Sequence, residues 1–430
     1  MFRIANNKFL GHSLSNLFLN HCKLTGLPDN NFTEKFHPTD SNLDFSYLCS
    51  PKNTVDIKRS IKNRKAAGNI DKVIKLYNEL LQSRSLETRN DIEQELVSEA
   101  LKIPNKSHPI LKDLKDGPNI VKSMPSLRAW TFKPFTFEAL AKQLHLIKAD
   151  NLTNLAGPRS YFLIDGLAAL EEALIKYTIK QLLDRKFQIV SVPDLLPRST
   201  IEYCGMETRG ERTQVYQLDN LHGTDICLSG TAEMGIAHFL QGKTIRKSEL
   251  PLRLAAVSRC FRAETSKISA EKGIYRVHQF TKVEMFGVTS LKESDNMLNQ
   301  FLTIQETLFS NLGLQLRILD MPECDLGAQA YRKFDVECYM PGKEYWGEIS
   351  SASNCTDYQA RRLGIKCDDG NFVHTINGTA CAAPRLLIAI LETNQNKDGT
   401  ISIPTELVPY VRYETLRKSK VPKLIPYKMK

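Results

Sequence analysis

The sequence predicts an α+β fold, in which an antiparallel sheet flanked by helices is preceded by an N-terminal antiparallel helical arm. Apolar residues recur with helical spacing from about residue 53 to 102. After a long amphipathic helix at 163–186, short strand-like runs alternate with turns, and few predicted helices intervene. A chain of 430 residues is also too long for one small core, so a large domain with a smaller module is expected.

The arm is predicted as two helices joined by a short break at 83–85, which lets them lie antiparallel. Gly68 interrupts the first helix. Between Lys52 and Lys65 there are six basic residues and one acid, which is typical either of a solvated charged face or of a surface that contacts a phosphate backbone.

Four segments follow from these patterns. Residues 1–28 carry Arg3, Lys8 and Lys23 but no acid, which is typical of an organellar transit peptide or of a disordered basic tail. Residues 29–105 form the helical arm, and two prolines in "IPNKSHP" mark the linker after it. Residues 106–410 form the main domain. Residues 411–430, with seven Lys or Arg and one Glu, are expected to form a mobile basic tail.

Composition excludes several classes of protein. No uninterrupted apolar run approaches the ~18 residues of a membrane-spanning helix. Ten cysteines occur without any CxxC spacing, which disfavours a structural zinc site and a compact disulfide framework. The sequence contains no GxxxxGK[ST], GxGxxG, HExxH or GxSxG motif. A net charge of +10 favours an anionic partner.

The stretch "CFRAE…YRVHQFTKVEMF" is predicted to be a hairpin with one charged face. Strand alternation puts Arg262 and Glu264 on one face of the first strand. It puts five residues on one face of the second strand, namely Arg276, His278, Phe280, Lys282 and Glu284. A surface hairpin has the same pattern. Arginines, carboxylates and an aromatic ring together also suit a zwitterion joined to a nucleotide.

Two further clusters carry candidate ligand-binding groups. In "GEISSASNCTDYQARR", Glu348 and Ser351 offer oxygen ligands for magnesium on a polyphosphate, or belong to a polar strand end. In "HTINGTACAAPRLLIAILE", Arg385 lies in the first turn of an apolar helix, where a snorkelling arginine is the common explanation. Asn377 and Thr379 on the preceding strand can bind a small polar ligand.

The chain resembles the seryl-tRNA synthetases, and among them the animal mitochondrial type. The resemblance covers about 157–395 and rests on seven segments in the family's order: "GTAEMGIAH", "SRCFRAE", "GIYRVHQFTKVEMFGV", "LDMP", "YRKFD", "SASNCTDYQARR" and "APRLLIAILE". It implies the class II synthetase fold, in which the predicted strand that ends at Pro193 is similar to the first class II motif, at the dimer interface. The helical arm is similar to the family's tRNA-reading coiled coil, though shorter.

The resemblance also implies roles for individual residues. The family's serine pocket corresponds to Thr231, Glu233, Arg262, Glu284, Asn377 and Thr379. Its ATP site corresponds to Arg262, Glu264, Arg276, Phe280, Glu348, Ser351 and Arg385, with Glu348 and Ser351 as the Mg²⁺ ligands. The residues implied in catalysis are Arg262, Glu284 and Arg385.

The function so implied is a mitochondrial matrix serine–tRNA ligase that uses serine, ATP with Mg²⁺, and tRNA(Ser), acts as a dimer and has no membrane partner. Serine is first joined to AMP with release of pyrophosphate, and the seryl group then passes to the 3′ end of the tRNA. Two alternatives are a non-catalytic paralogue that binds RNA or a partner subunit, and a class II ligase for another small amino acid.

Overall fold

The computed structural model describes residues 42–83, 86–114, 117–125, 128–149, 159–210, 213–219, 221, 225–264 and 273–422. The expected transit peptide, the hairpin loop around 265–272 and the last eight residues lie outside this part of the chain. No helix among the described residues combines the length and the apolar character needed to cross a membrane.

The described chain begins with four α-helices, after which helices and strands are interspersed. The helices are α1 Phe45–Leu48, α2 Thr54–Asn63, α3 Ile70–Gln82, α4 Leu86–Leu101, α5 Phe137–Gln143, α6 Gly166–Asp184, α7 Arg198–Tyr203, α8 Ala232–Leu240, α9 Ser294–Ser310, α10 Tyr358–Leu363, α11 Ala383–Asn394 and α12 Val408–Val411. The strands are β1 Asn119–Met124, β2 Ile147–Lys148, β3 Phe162–Leu163, β4 Gln188–Ile189, β5 Leu195–Pro197, β6 Ile226–Leu228, β7 Thr244–Ile245, β8 Leu252–Phe261, β9 Gln279–Thr289, β10 Leu316–Asp320, β11 Arg332–Met340, β12 Tyr345–Thr356, β13 Lys366–Cys367, β14 His374–Ala382, β15 Ile401–Ser402 and β16 Thr415–Leu416.

An eight-stranded sheet organises the large domain, with the strand order β1-β10-β11-β12-β14-β9-β8-β4. Every neighbouring pair is antiparallel except β4 and β8, which are parallel. The predicted α+β fold with a mainly antiparallel sheet is therefore confirmed.

Helices α6, α9 and α11 pack against the sheet and share its main hydrophobic core. Helix α9 lies close to the strands because they present glycine to it. A Cβ atom on Gly378 would lie 2.9 Å from the Phe301 ring, and one on Gly287 would lie 2.8 Å from Met297. Helix α11 has a proline in its first turn, a position where proline fits a helix, and its side chains from Leu386 to Leu391 are fully buried.

The arm consists of α2, α3 and α4, which share a separate apolar cluster. Lys72, near the start of α3, pairs with Glu95 and Glu99 near the end of α4, at 2.8 and 3.1 Å. These pairs require α3 and α4 to be antiparallel, as predicted. The chain between Asn63 and Ile70 is not helical, so the interruption expected at Gly68 separates two helices.

The basic cluster at the start of the arm is only partly a free surface. Arg64 donates to the carbonyl oxygens of Gly327 and Ala330, each at 2.8 Å. Arg59 pairs with Asp56, and Lys58 pairs with Asp71. These cations hold the arm together or join it to the large domain, which leaves fewer of them for a phosphate backbone than the sequence predicts.

Three expectations about elements need correction. The strand predicted to end at Pro193 is only two residues long, at Gln188–Ile189, because the chain then leaves the sheet edge. Helices α8 and α9 were missed among the strands. The prediction of a mobile tail is wrong for the first part of residues 411–430. Strand β16 pairs with β15, and Leu416 is buried. The Tyr413 hydroxyl donates to Gly166 O at 2.9 Å.

Candidate active site

A cavity of about 400 Å³ lies on the sheet face that α9 does not cover. It extends across β9, β12 and β14 to the start of α8 and the first turn of α11. All twelve site residues predicted from the sequence line it: Thr231, Glu233, Arg262, Glu264, Arg276, Phe280, Glu284, Glu348, Ser351, Asn377, Thr379 and Arg385.

Arg262, Glu264 and Arg276 lie outside the two hairpin strands, which is a correction to the predicted hairpin. Strand β8 ends at Phe261 and β9 begins at Gln279. The segments beyond the strands remain joined, because Arg262 N donates to His278 O at 2.9 Å. The charged side chains therefore project from the end of the hairpin into the cavity and not from a flat sheet face.

One end of the cavity is lined by short polar side chains and two buried carboxyl groups. Thr379 lies directly opposite Glu284 in the sheet, and its hydroxyl donates to Glu284 Oε2 at 3.3 Å. Asn377 donates to Glu233 Oε1 at 2.8 Å. These contacts hold the carboxyl groups of Glu284 and Glu233 and the side chains of Thr379 and Asn377 around a space suited to a small polar ligand. We call this part of the cavity the polar end.

Glu233 has an unusual environment. Burial, and then the nearby Glu284 carboxylate, raise its pKa from 4.5 to about 7, although Gln359 and Asn377 both donate to it. Thr231 caps α8 by accepting from Glu233 N at 3.3 Å. The helix start therefore places Thr231 and Glu233 together at the polar end.

The other end of the cavity carries the arginines and the aromatic rings. The Arg262 guanidinium lies 5.4 Å from the centre of the Phe280 ring. Arg276 pairs with the buried Glu264 at 3.1 Å. Arg385 lies 4.6 Å from the centre of the Tyr275 ring and pairs with Glu348 at 3.2 Å. Planar cations next to aromatic rings form a stacking surface with charge for phosphate oxygens.

Glu348 and Ser351 reach the same cavity because β12 contains a bulge. Residues three apart on a regular strand point to opposite faces. Here Glu337 pairs with Glu348 while Asp335 pairs with Ser351, so the extra residue in β12 returns both side chains to one face. Partial burial raises the pKa of Glu348, but Arg385, Lys333 and Arg262 outweigh this effect and hold the pKa below its ordinary value.

An ionised carboxylate with a neighbouring hydroxyl fits Mg²⁺, which accepts one or two protein oxygens and completes its shell with water and phosphate. Among the described residues, no group of three His, Cys, Asp or Glu side chains could hold a metal ion by itself. Glu348 and Ser351 together offer two such protein oxygens in the cavity.

Three residues of the site were missed as functional candidates. Lys282 lines the cavity and contacts Thr231 and Glu284, Gln359 donates to Glu233 at 2.6 Å, and the Tyr275 ring faces Arg385. Alternation along the second hairpin strand already placed Lys282 on the same face as Glu284, but no role in the site was predicted for it. No sequence signal indicated Gln359, whose role depends on the packing of α10.

Comparisons with known proteins agree with this arrangement. The tRNA synthetase class II core domain (G, H, P, S and T) matches residues 216–394. The mitochondrial serine–tRNA ligase of Mus musculus is 42% identical over 330 residues, which are 74% of this chain and 63% of the relative. The chain thus matches less than two thirds of that relative's length.

Two further comparisons extend over more of the chain. The serine–tRNA ligase of Treponema denticola is 36% identical over 425 residues, covering 87% of this chain and 100% of the relative. The crystal structure of seryl-tRNA synthetase from Pyrococcus horikoshii complexed with ATP has a TM-score of 0.75 and 26% identity, covering 88% of this chain and 100% of that chain. The fold, the cavity and these matches lead to one conclusion: the chain belongs to the serine–tRNA ligase family.

Proposed function

We propose that this chain is a mitochondrial serine–tRNA ligase that activates serine with ATP and transfers the seryl group to the 3′ end of tRNA(Ser). The observation that carries the proposal is the convergence of all twelve predicted residues on one cavity. The polar end suits serine, and the end with arginines and aromatic rings suits ATP.

In the first step a serine carboxylate oxygen attacks the α-phosphorus of ATP, and the bond to pyrophosphate breaks. The carboxylate is already ionised at neutral pH, so the enzyme needs to align the reactants and balance charge without a protein nucleophile. We assign Arg262 to the serine carboxylate and α-phosphate, and Arg276 to the departing pyrophosphate. Both lie just beyond the hairpin strands, where Arg262 N donates to His278 O at 2.9 Å, so the same end of the hairpin carries the two arginines.

For the nucleotide, we assign Phe280 and Arg385 to the two faces of the adenine ring and Glu264 to its amino group. Arg385 is already oriented by the Tyr275 ring and by Glu348. Glu348 and Ser351 are the residues that would hold Mg²⁺. When bound, this ion supplies positive charge to the phosphate oxygens.

In the second step the terminal ribose hydroxyl of the tRNA attacks the seryl carbonyl carbon, and AMP leaves. We assign the arm, α2 to α4, to tRNA contact. The net charge of +10 and the exposed Lys52, Lys62 and Lys65 support this assignment. The relatives named mitochondrial and the acid-free segment 1–28 support a mitochondrial location, in the matrix, which import of a reporter fused to that segment would check.

Serine-dependent exchange of labelled pyrophosphate into ATP tests the activation step. The protein should catalyse exchange with serine but not with alanine or threonine. Arg262→Ala should reduce exchange by at least 100-fold, because it removes a charged contact made to the reacting groups. The matched control is Arg253→Ala, an arginine of the same strand pair that contacts Gln300 outside the cavity. A folded protein without serine-dependent exchange would contradict the proposal.

A further inference from the structure

Lys282 is a buried cation inside the polar end of the cavity, and no role in the activation step has been assigned to it. It lies on β9, two residues before Glu284, and is 6% exposed. Burying an ammonium group is costly unless it is paired and hydrogen-bonded. Its position therefore indicates that specific partners hold it there.

The partners of Lys282 are the groups expected to contact the amino acid. Its Nζ donates to Thr231 Oγ1 at 2.7 Å and forms an ion pair with Glu284 Oε2. The hydroxyl of Thr379 donates to the same carboxylate oxygen. These two donors occupy Oε2 and leave Oε1 of Glu284 as the oxygen that neither of them uses.

The contact with Lys282 also determines what Thr231 can do. A hydroxyl oxygen has two lone pairs and one proton. Thr231 Oγ1 accepts from Lys282 Nζ and from Glu233 N, so both lone pairs are used. The Thr231 hydroxyl is therefore restricted to donating.

We propose that Lys282 is a specificity-determining residue, which fixes Thr231 as a hydrogen-bond donor and Glu284 as a one-oxygen acceptor for a β-hydroxy amino acid. A ligand hydroxyl both accepts and donates, so it satisfies such a pair, whereas a methyl group leaves both partners unsatisfied. The inference deepens the proposed function and rests on it for the identity of the amino acid. Lys282 acts through Thr231 and Glu284 and is thus a positioning residue.

A purely structural ion pair would lower stability when broken without changing the choice of ligand. The experiment must therefore measure preference. We would titrate serine and alanine calorimetrically into the full chain and into Lys282→Met, which keeps the length of the side chain and removes its charge. The ratio of serine to alanine affinity should fall by about 10- to 100-fold, the range for loss of hydrogen bonds to a charged group.

Two variants control this result. Lys343→Met breaks an ion pair that is more exposed and lies outside the cavity, with Glu138 at 2.9 Å, and should leave the ratio unchanged. Thr231→Val removes the hydroxyl that Lys282 orients, and it gives an independent answer if Lys282→Met fails to fold. It should lower the ratio by a similar factor.

Each outcome decides between the proposals. A preference for serine that survives in folded Lys282→Met, or in Thr231→Val, overturns the role of Lys282. A wild-type protein that binds serine no better than alanine also overturns it. A wild-type protein that prefers serine but catalyses no exchange contradicts the ligase function and leaves the binding inference standing.

Discussion

Glu233 shows how one buried carboxyl group can limit the stability of the whole chain. Its pKa is about 7 in the folded protein against an ordinary 4.5. Below pH 4.5 the group is protonated in both states and contributes nothing. As the pH rises to about 7, only the unfolded state ionises, so the free energy of unfolding should fall by roughly 1–3 kcal/mol.

Glu233→Gln should remove this loss. A glutamine keeps an oxygen that accepts from Gln359 and Asn377, but it does not titrate. The variant should therefore gain stability relative to the wild type between pH 5 and pH 8, by roughly 1–3 kcal/mol. Thermal or urea unfolding across this pH range measures the difference. If the difference in the free energy of unfolding between the two proteins is the same at every pH from 5 to 8, Glu233 is ionised in the folded protein over that whole range and the prediction is wrong.

The site could be predicted from the sequence mainly where its residues lie on regular strands. Alternation along β9 correctly placed Phe280 and Glu284 on one face. It could not predict that Glu348 and Ser351 share a face, because this depends on the β12 bulge, for which a single sequence gives no clear signal. Residues beyond strand ends, such as Arg276, depend on contacts between distant segments that periodicity does not contain.

At the level of elements, the prediction failed where helices contribute to the site or pack behind it. Helix α8 is short and apolar, which makes it similar to a buried strand by composition. Helix α9 packs against glycines on two strands, a tertiary relation that local pattern cannot indicate. The long α6 and proline-initiated α11 were predicted because their signals are local.

The attachment of the arm should depend on Arg64. This side chain leaves the end of α2 and donates to Gly327 O, Ala330 O and Ser107 Oγ. Burial lowers its pKa to about 10, so it remains charged at neutral pH. Because Gly327 and Ala330 also line the cavity, Arg64 joins the arm to the wall of the candidate site.

Arg64→Met should destabilise the protein by about 1–3 kcal/mol, because two part-buried acceptors and one exposed acceptor lose a charged donor. Limited proteolysis should also cut more rapidly between α2 and α3. Lys58→Met is the control, since Lys58 pairs with Asp71 in an exposed position and its loss should cost less than about 0.5 kcal/mol. Equal effects of the two changes would mean that the arm is held by its apolar cluster alone.

For the molecule as a whole, we propose a dimer formed through the region around Pro193. Strand β4 ends the order of the main sheet among the described strands. Apolar side chains on either side of Pro193 are exposed, Ile189 by 41% and Leu195 by 54%. Exposed apolar residues at a sheet edge are typical of a surface that another chain covers.

Sedimentation of the purified protein should therefore give twice the mass of one chain. Changing Ile189 and Leu195 together to glutamate should produce the monomer, because each charge would have to be buried without a partner. The control is Leu291→Glu, at a leucine that is 52% exposed in the turn before α9. It should leave the dimer intact. If the double variant still sediments as a dimer, the interface lies elsewhere. If the wild type sediments as a monomer, the proposed dimer is wrong and the exposed apolar residues are not covered by a second copy of the chain.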